Sequence, residues 1–358
     1  MGQVLDKLYK GYLEYLLILG LALAALYAWG IGANDMANII ATPIGGGAIK
    51  RKLAVQLYVT FLVLGALLQG HMVMKTLGKG VVKQLDLVGA VASSLAAITW
   101  VYLASLLGLP VSTSLSATSG VIGVGLAYVV ETGDWGLLNL GVINKIIVSW
   151  VASPILSMIT AMWLYLLLRR FLSTSRGERA VRALTAIAVA WDGYSFGTND
   201  VANATGVYIA VVGGTALAQR VLGVNINETL LLALYGAVFI ALGGAVMGWR
   251  VVNTVGYKIT RLDPIGGLTE ALSSALIVWF FTTIPYMIFG YGIPISTTYA
   301  SVAAVFGIGI AKFRSLQRGV NVKVALLIVL SWILTLPVAA TLGLLYYFTL
   351  TYLVGGAP

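Results

Sequence analysis

The chain has 358 residues, of which 59% are hydrophobic and 9% charged, with 42 glycines, no cysteine and a formal net charge of +10. An ordinary soluble domain carries about 25% charged residues, so this composition excludes one and indicates a polytopic α-helical membrane protein. Without cysteine there are no disulfides, thiolate metal centres or thiol catalysis. The basic charge has no aromatic-interleaved stripe, so it reads as loop charge under the positive-inside rule, with no nucleic-acid partner.

The first apolar run, residues 15–30, follows Glu14 and leads directly into Gly32-Ala-Asn-Asp-Met-Ala-Asn38. No small-residue cleavage site intervenes, so the run is read as a retained first helix and not as a signal peptide. An Asp inside a membrane-like stretch is costly and marks function. Gly45-Gly46-Gly47 is then expected to break the helix, freeing backbone carbonyls at membrane depth. A second segment, 87–107, runs into Pro110-Val-Ser-Thr-Ser114, where Pro followed by small hydroxyl residues signals a helix start. Gly123 and Gly125 follow, then an acidic loop at 131–140 and the apolar run 146–168. That run ends at Arg169, Arg170, Arg176, Arg179 and Arg182.

Beyond this basic stretch the pattern returns. Gly197-Thr-Asn-Asp-Val-Ala-Asn203 repeats the first motif at an offset of 165 (197 − 32), with Gly213-Gly214 as the second expected break. Runs 230–248 and 268–287 precede Pro294-Ile-Ser-Thr-Thr298, and Gly307 and Gly309 stand 13 and 15 residues past that Pro, as Gly123 and Gly125 do past Pro110. The last run is 324–350. Two matched pairs in the same order indicate internal duplication: 1–168 as a first repeat, 169–182 as a cytoplasmic linker and 183–358 as a second repeat.

Loop charge sets the orientation. Segment 312–318 carries three bases where its counterpart 131–140 has two acids and no base, so the repeats are expected to be inverted. With both termini outside, fifteen of the 22 Lys and Arg lie inside and seven outside. The expected fold is all-α, with two inverted-topology repeats, broken helices, re-entrant helical hairpins and about 10–12 membrane segments.

The repeated polar residues divide by chemistry. Asp35, Asn38, Asp200 and Asn203 supply hard oxygen ligands suited to a small coupling cation. Asn38 and Asn203 each fall one turn after Asn34 and Asn199, on the same helix face. Ser112, Thr113, Ser114, Ser296, Thr297 and Thr298 sit at helix starts, where exposed N–H groups and the dipole favour an anion. With Asn34 and Asn199 they form the expected oxyanion site, since capping alone needs one hydroxyl per helix. Cation and anion then load together, a physical basis for symport.

Glu270 is a further possible site residue, and Gln56 and Gln69 read as interhelical hydrogen-bonders. His71, the single histidine, reads as solvated, and Trp100, Trp150, Trp279 and Trp332 as packing or interface residues. An anion channel is a rival, although paired Asp residues suit an anion path poorly. An intramembrane enzyme would need a nucleophile and base that the chain lacks, so no catalytic residue is assigned.

With these residues in view, the chain resembles the PiT family of inorganic phosphate transporters, which also contains sulfate permeases. The family signature Gly-x-Asn-Asp-x-Ala-Asn corresponds to 32–38 and 197–203, and its Pro-x-Ser-Thr-Thr segments to 110–114 and 294–298. The approach 100–110 (W-V-Y-L-A-S-L-L-G-L-P) is also similar. The resemblance spans the chain and implies inverted repeats with helical hairpins and cation-coupled uptake of a tetrahedral oxyanion. Leu115 and Tyr299 stand where many phosphate-carrying members have His, and the region of Leu62 is apolar where some carry Glu; both departures weigh against proton coupling. The expectation is a multi-pass cell-membrane symporter for inorganic phosphate, with sulfate as the alternative. Na⁺ is favoured over H⁺ as coupling ion, no cofactor is expected, and the partners are the bilayer and a second copy in a homodimer.

Overall fold

In the computed structural model the described residues are 2–106, 111–173, 177–212, 227–258, 262–315 and 322–354, and every long apolar run becomes a helix. Pro110, Arg176, Gly213, Gly214, Arg220, Arg261 and Arg318 lie outside the described residues. The first half holds α1 (Gly2–Gly45), α2 (Arg51–Gln69), α3 (His71–Lys75), a π-helical turn (Thr76–Gly80), α4 (Leu87–Leu106), α5 (Thr113–Thr132) and α6 (Leu140–Leu172). The second holds α7 (Gly177–Thr205), a 3-10 turn (Gly206–Tyr208), α8 (Ile209–Val212), α9 (Glu228–Met247), α10 (Trp249–Lys258), α11 (Pro264–Phe289), α12 (Thr297–Phe313) and α13 (Val322–Leu353). Among the described residues the sole β feature is an isolated bridge between Val82 and Leu138.

Eight of these helices are long and apolar enough to cross a membrane. The difference from the expected 10–12 has a physical cause. α7 has the length but carries the polar motif, and α12 is apolar but only 17 residues long. Large apolar side chains face outward along α6 (Ile155, Ile159, Trp163) and α13 (Leu326, Leu330, Ile333), as a lipid-facing surface requires.

The helix ends follow local chemistry. Ser112 and Ser296, both extended, cap α5 and α12 by accepting the N–H of Leu115 and Tyr299. Asp263 caps α11 ahead of Pro264 at its first position. Gly133 and Gly290 close α5 and α11 in the left-handed conformation, at φ of 73° and 77°.

Helices pair across the two halves. α1 packs on α9 and α7 on α2; α5 packs on α13 and α12 on α6. Glycine permits each close approach. A Cβ at Gly32 would fall on the Ile240 carbonyl of α9, and one at Gly197 on the Leu62 carbonyl of α2. Likewise Gly123 lies against Ala340 of α13, and Gly307 against Met158 of α6. The first glycine of each repeated motif is therefore a packing residue.

α1 ends at Gly45, where the Gly45-Gly46-Gly47 break was expected, and Gly47 takes the left-handed conformation at φ of 74°. Ahead of that break, α1 runs unbroken through 32–38, as α7 does through 197–203. The motif backbone stays in its helical ladder, and breaks come only beyond, at Gly46–Gly47 and at the 3-10 turn after Thr205. The oxygen atoms at the site belong to side chains, carboxylates of α1 and α7 and hydroxyls from the starts of α5 and α12.

Candidate substrate and cation site

α1 and α7 carry Asp35 and Asp200 into the interior, where both are completely buried. The starts of α5 and α12 meet them there. Asp35 Oδ1 accepts Asn34 Nδ2 at 3.1 Å, Asn38 Nδ2 at 3.2 Å and the Thr298 hydroxyl at 3.3 Å. Its Oδ2 accepts the Thr113 hydroxyl at 2.7 Å. Asp200 Oδ1 accepts Asn203 Nδ2 at 2.9 Å and the Ser114 hydroxyl at 3.3 Å, and its Oδ2 accepts Asn199 Nδ2 at 3.1 Å. Thr297 interacts with the same carboxylate, and the two carboxylates repel one another.

α5 thus joins both aspartates through adjacent residues, Thr113 to Asp35 and Ser114 to Asp200. α12 does the same in the opposite sense, Thr297 to Asp200 and Thr298 to Asp35. Every direct partner is a neutral donor. Among the described residues neither carboxylate forms an ion pair.

Further contacts hold this arrangement. The Tyr27 hydroxyl donates to the Thr113 carbonyl at 2.7 Å, fixing the start of α5. Asn199 clamps the turn before α12, accepting from Ile295 N at 3.1 Å and donating to Ile295 O at 2.9 Å. Glu270 of α11 is fully buried and accepts the Ser301 hydroxyl at 2.6 Å and the Thr42 hydroxyl. Ser301 Oγ also lies 3.1 Å from the Asn38 carbonyl, linking Glu270 to the first motif.

The structure brings together all twelve motif residues and places Glu270 beside them. The hydroxyls and carboxylates meet in one hydrogen-bonded network. Ser112 and Ser296 act as caps, and Asn199 is committed to the Ile295 backbone. Sequence reasoning missed Tyr27, Thr42 and Ser301. Ser301 was within reach, being four residues after the motif residue Thr297 and so on the same face of α12.

Outlying residues also find places. Gln69 accepts from Thr283 at 3.4 Å, as an interhelical bond, whereas Gln56 is exposed. His71 is half-buried against Tyr286 and not freely solvated, with ring centroids 5.4 Å apart; burial, then Lys75, lower its imidazole below the usual range. Trp100 and Trp150 are buried and donate to Thr335 and Pro294, while Trp332 stacks on Tyr299.

Residues 31–193 and 174–343 match the profile of the phosphate transporter family. A Pyrococcus horikoshii protein, named a candidate phosphate permease, is 29% identical, covering 91% of this chain and 96% of its own length. The chloroplastic inorganic phosphate transporter 2-1 of Arabidopsis thaliana is 27% identical over 90% of this chain and 70% of its own. Among solved structures, one titled the sodium-dependent phosphate transporter superposes with a TM-score of 0.74 at 28% identity, covering 94% of this chain and 99% of that one. The chain, a multi-pass helical membrane protein with paired buried carboxylates at its centre, belongs to the phosphate transporter family.

Proposed function

We propose that the protein is a secondary active symporter that carries inorganic phosphate by alternating access, coupled to a Na⁺ gradient. The observation that carries this is the pair of buried carboxylates ringed by neutral donors at two helix starts. Their negative charge is hydrogen-bonded but has no fixed counter-charge among the described residues, so neutralising it falls to a mobile cation. Burying one uncompensated charge costs several kcal/mol. A phosphate anion entering beside two bare carboxylates would add to that cost. Cations bound at Asp35, Asn38, Asp200 and Asn203 reverse the sign of the field, so each ion favours the other. Thr113, Ser114, Thr297 and Thr298, with Asn34, would then turn donors toward the oxyanion. Na⁺ is favoured over H⁺ because hard oxygen ligands surround both carboxylates and the solved relative is titled sodium-dependent.

Residues 1–168 and 183–358 are proposed as inverted repeats joined by 169–182, sited in the cell membrane and pairing as a homodimer. Support for the repeats comes from the exchanged helix pairings and from the matched close approaches at Gly32 and Gly197. No catalytic chemistry is assigned.

The test is uptake of labelled phosphate and of labelled sulfate into proteoliposomes, with and without an inward Na⁺ gradient. Uphill phosphate accumulation that requires Na⁺ is expected. Gradient-independent equilibration would indicate a channel, and preferential sulfate uptake would reassign the substrate.

A further inference from the structure

Residues 45–58 and 245–258 together carry five basic side chains and no acid. The structure brings the two segments to one place, where α2 starts and α9 turns into α10. The Arg51 guanidinium lies 5.5 Å from the centroid of the Trp249 ring, and its Nη2 donates to Asn253 Oδ1 at 3.5 Å. Both partners are neutral. Lys50, Arg51, Lys52 and Arg250 are all exposed. Lys50 caps α2 without a side-chain bond and no acid occupies the first turn, so the positive end of the helix dipole adds to these charges.

α10 has ten residues, half of the roughly 20 that a membrane span needs. It packs along α1 with Val252 buried, while Arg250 and Asn253 face outward. A short helix with one apolar and one basic face suits the membrane interface. Just before it, Val246 and Met247 end α9 with exposed apolar side chains, and Leu53 follows the cations on α2. The cations therefore border an apolar floor. This is the face of the 169–182 linker: Gly46 lies against the Asp263 carbonyl, and Asp263 accepts from Tyr165 near the end of α6 at 2.9 Å. Acids answer other bases on that face, Asp263 standing 3.2 Å from Lys312 and Glu178 4.0 Å from Arg182. Among the described residues no acid forms an ion pair with Lys50, Arg51 or Lys52.

We propose that the start of α2 and α10 form a docking surface for an anionic phospholipid of the linker-side leaflet. Arg51, Lys52 and Arg250 take its headgroup phosphate, and its acyl chains lie on Val246, Met247 and Leu53. Basic residues clustered beside membrane helices attract anionic headgroups, and a guanidinium grips a phosphate through two hydrogen bonds. The apolar floor favours a lipid over a free anion, which would leave that floor uncovered. Because α10 packs on α1, the bound lipid braces the helix that carries Asp35.

The test needs no transport. Thermal unfolding of the purified full-length protein in dodecyl maltoside is followed while dioctanoyl phosphatidylglycerol is titrated in, with dioctanoyl phosphatidylcholine and glycerol 3-phosphate as comparators. A saturable rise in Tm is expected with phosphatidylglycerol, at a midpoint about tenfold or more below that of either comparator. Arg51→Gln/Arg250→Gln should raise the midpoint roughly thirtyfold, about fivefold per charge, and Arg51→Lys/Arg250→Lys should hold it within about threefold. Should the double Gln variant fail to fold, Lys52→Gln is expected to raise the midpoint about fivefold. Equal midpoints for the two lipids, or a midpoint unchanged in the Gln variants, would overturn the proposal. Glycerol 3-phosphate matching phosphatidylglycerol would overturn it too, since the surface would then take a free anion.

Discussion

Thr113 performs two tasks at one position. Its carbonyl is held by Tyr27, and its hydroxyl donates to Asp35 at 2.7 Å, the shortest of the bonds to that carboxylate. Removing the hydroxyl leaves a buried carboxylate one donor short, a loss of about 1–3 kcal/mol. Thr113→Val and Thr298→Val are therefore each expected to raise the KM for phosphate about tenfold, measured as initial uptake at saturating Na⁺. An unchanged KM in both would remove these hydroxyls from the site. The Asp and Asn residues were legible in the sequence because polar groups in an apolar run have few structural excuses. Thr42 was not, since a lone hydroxyl inside a membrane helix most often bonds its own backbone, as Thr269 and Thr282 do here.

Single residues are aimed by their helices, and there the two motif glycines matter as much as the acids. Gly32 and Gly197 seat α1 and α7 directly against the backbones of α9 and α2. An added methyl group must push those helices apart, at roughly 1–3 kcal/mol per site. Gly32→Ala and Gly197→Ala should lower the unfolding temperature of the purified protein, with a larger effect than Gly47→Ser, whose Cβ would meet open space but whose φ of 74° favours glycine. Equal or smaller losses at the two motif positions would contradict the packing role. Sequence pattern located these helices to within a few residues: the run at 230–248 is α9 at Glu228–Met247, and the run at 268–287 lies within α11. It also placed the end of α1, which stops at Gly45 beside the expected Gly45-Gly46-Gly47 break. It did not place the partner helices: that Gly32 and Gly197 serve close approach is visible only from the backbone packed against each.

At the scale of the molecule, the start of α5 and the start of α12 each touch both aspartates, so neither half holds a complete site. Thr113 and Ser114 bridge from α5, Thr298 from α12, and the exchanged pairings of α1 with α9 and α7 with α2 tie the halves together. Duplication was readable from the two motif pairs. The crossing of partners was not, because it depends on long-range packing that no local pattern encodes. A centre shared in this way has one consequence: removing either carboxylate should disable coupling for the whole molecule, not halve it. The direct measurement is Na⁺-driven phosphate uptake in proteoliposomes by Asp35→Asn and Asp200→Asn, each compared with the wild type at equal reconstituted amount. Uphill accumulation is predicted to vanish in both variants while each retains a cooperative thermal unfolding transition. Wild-type accumulation in either one would contradict a shared cation-coupled centre.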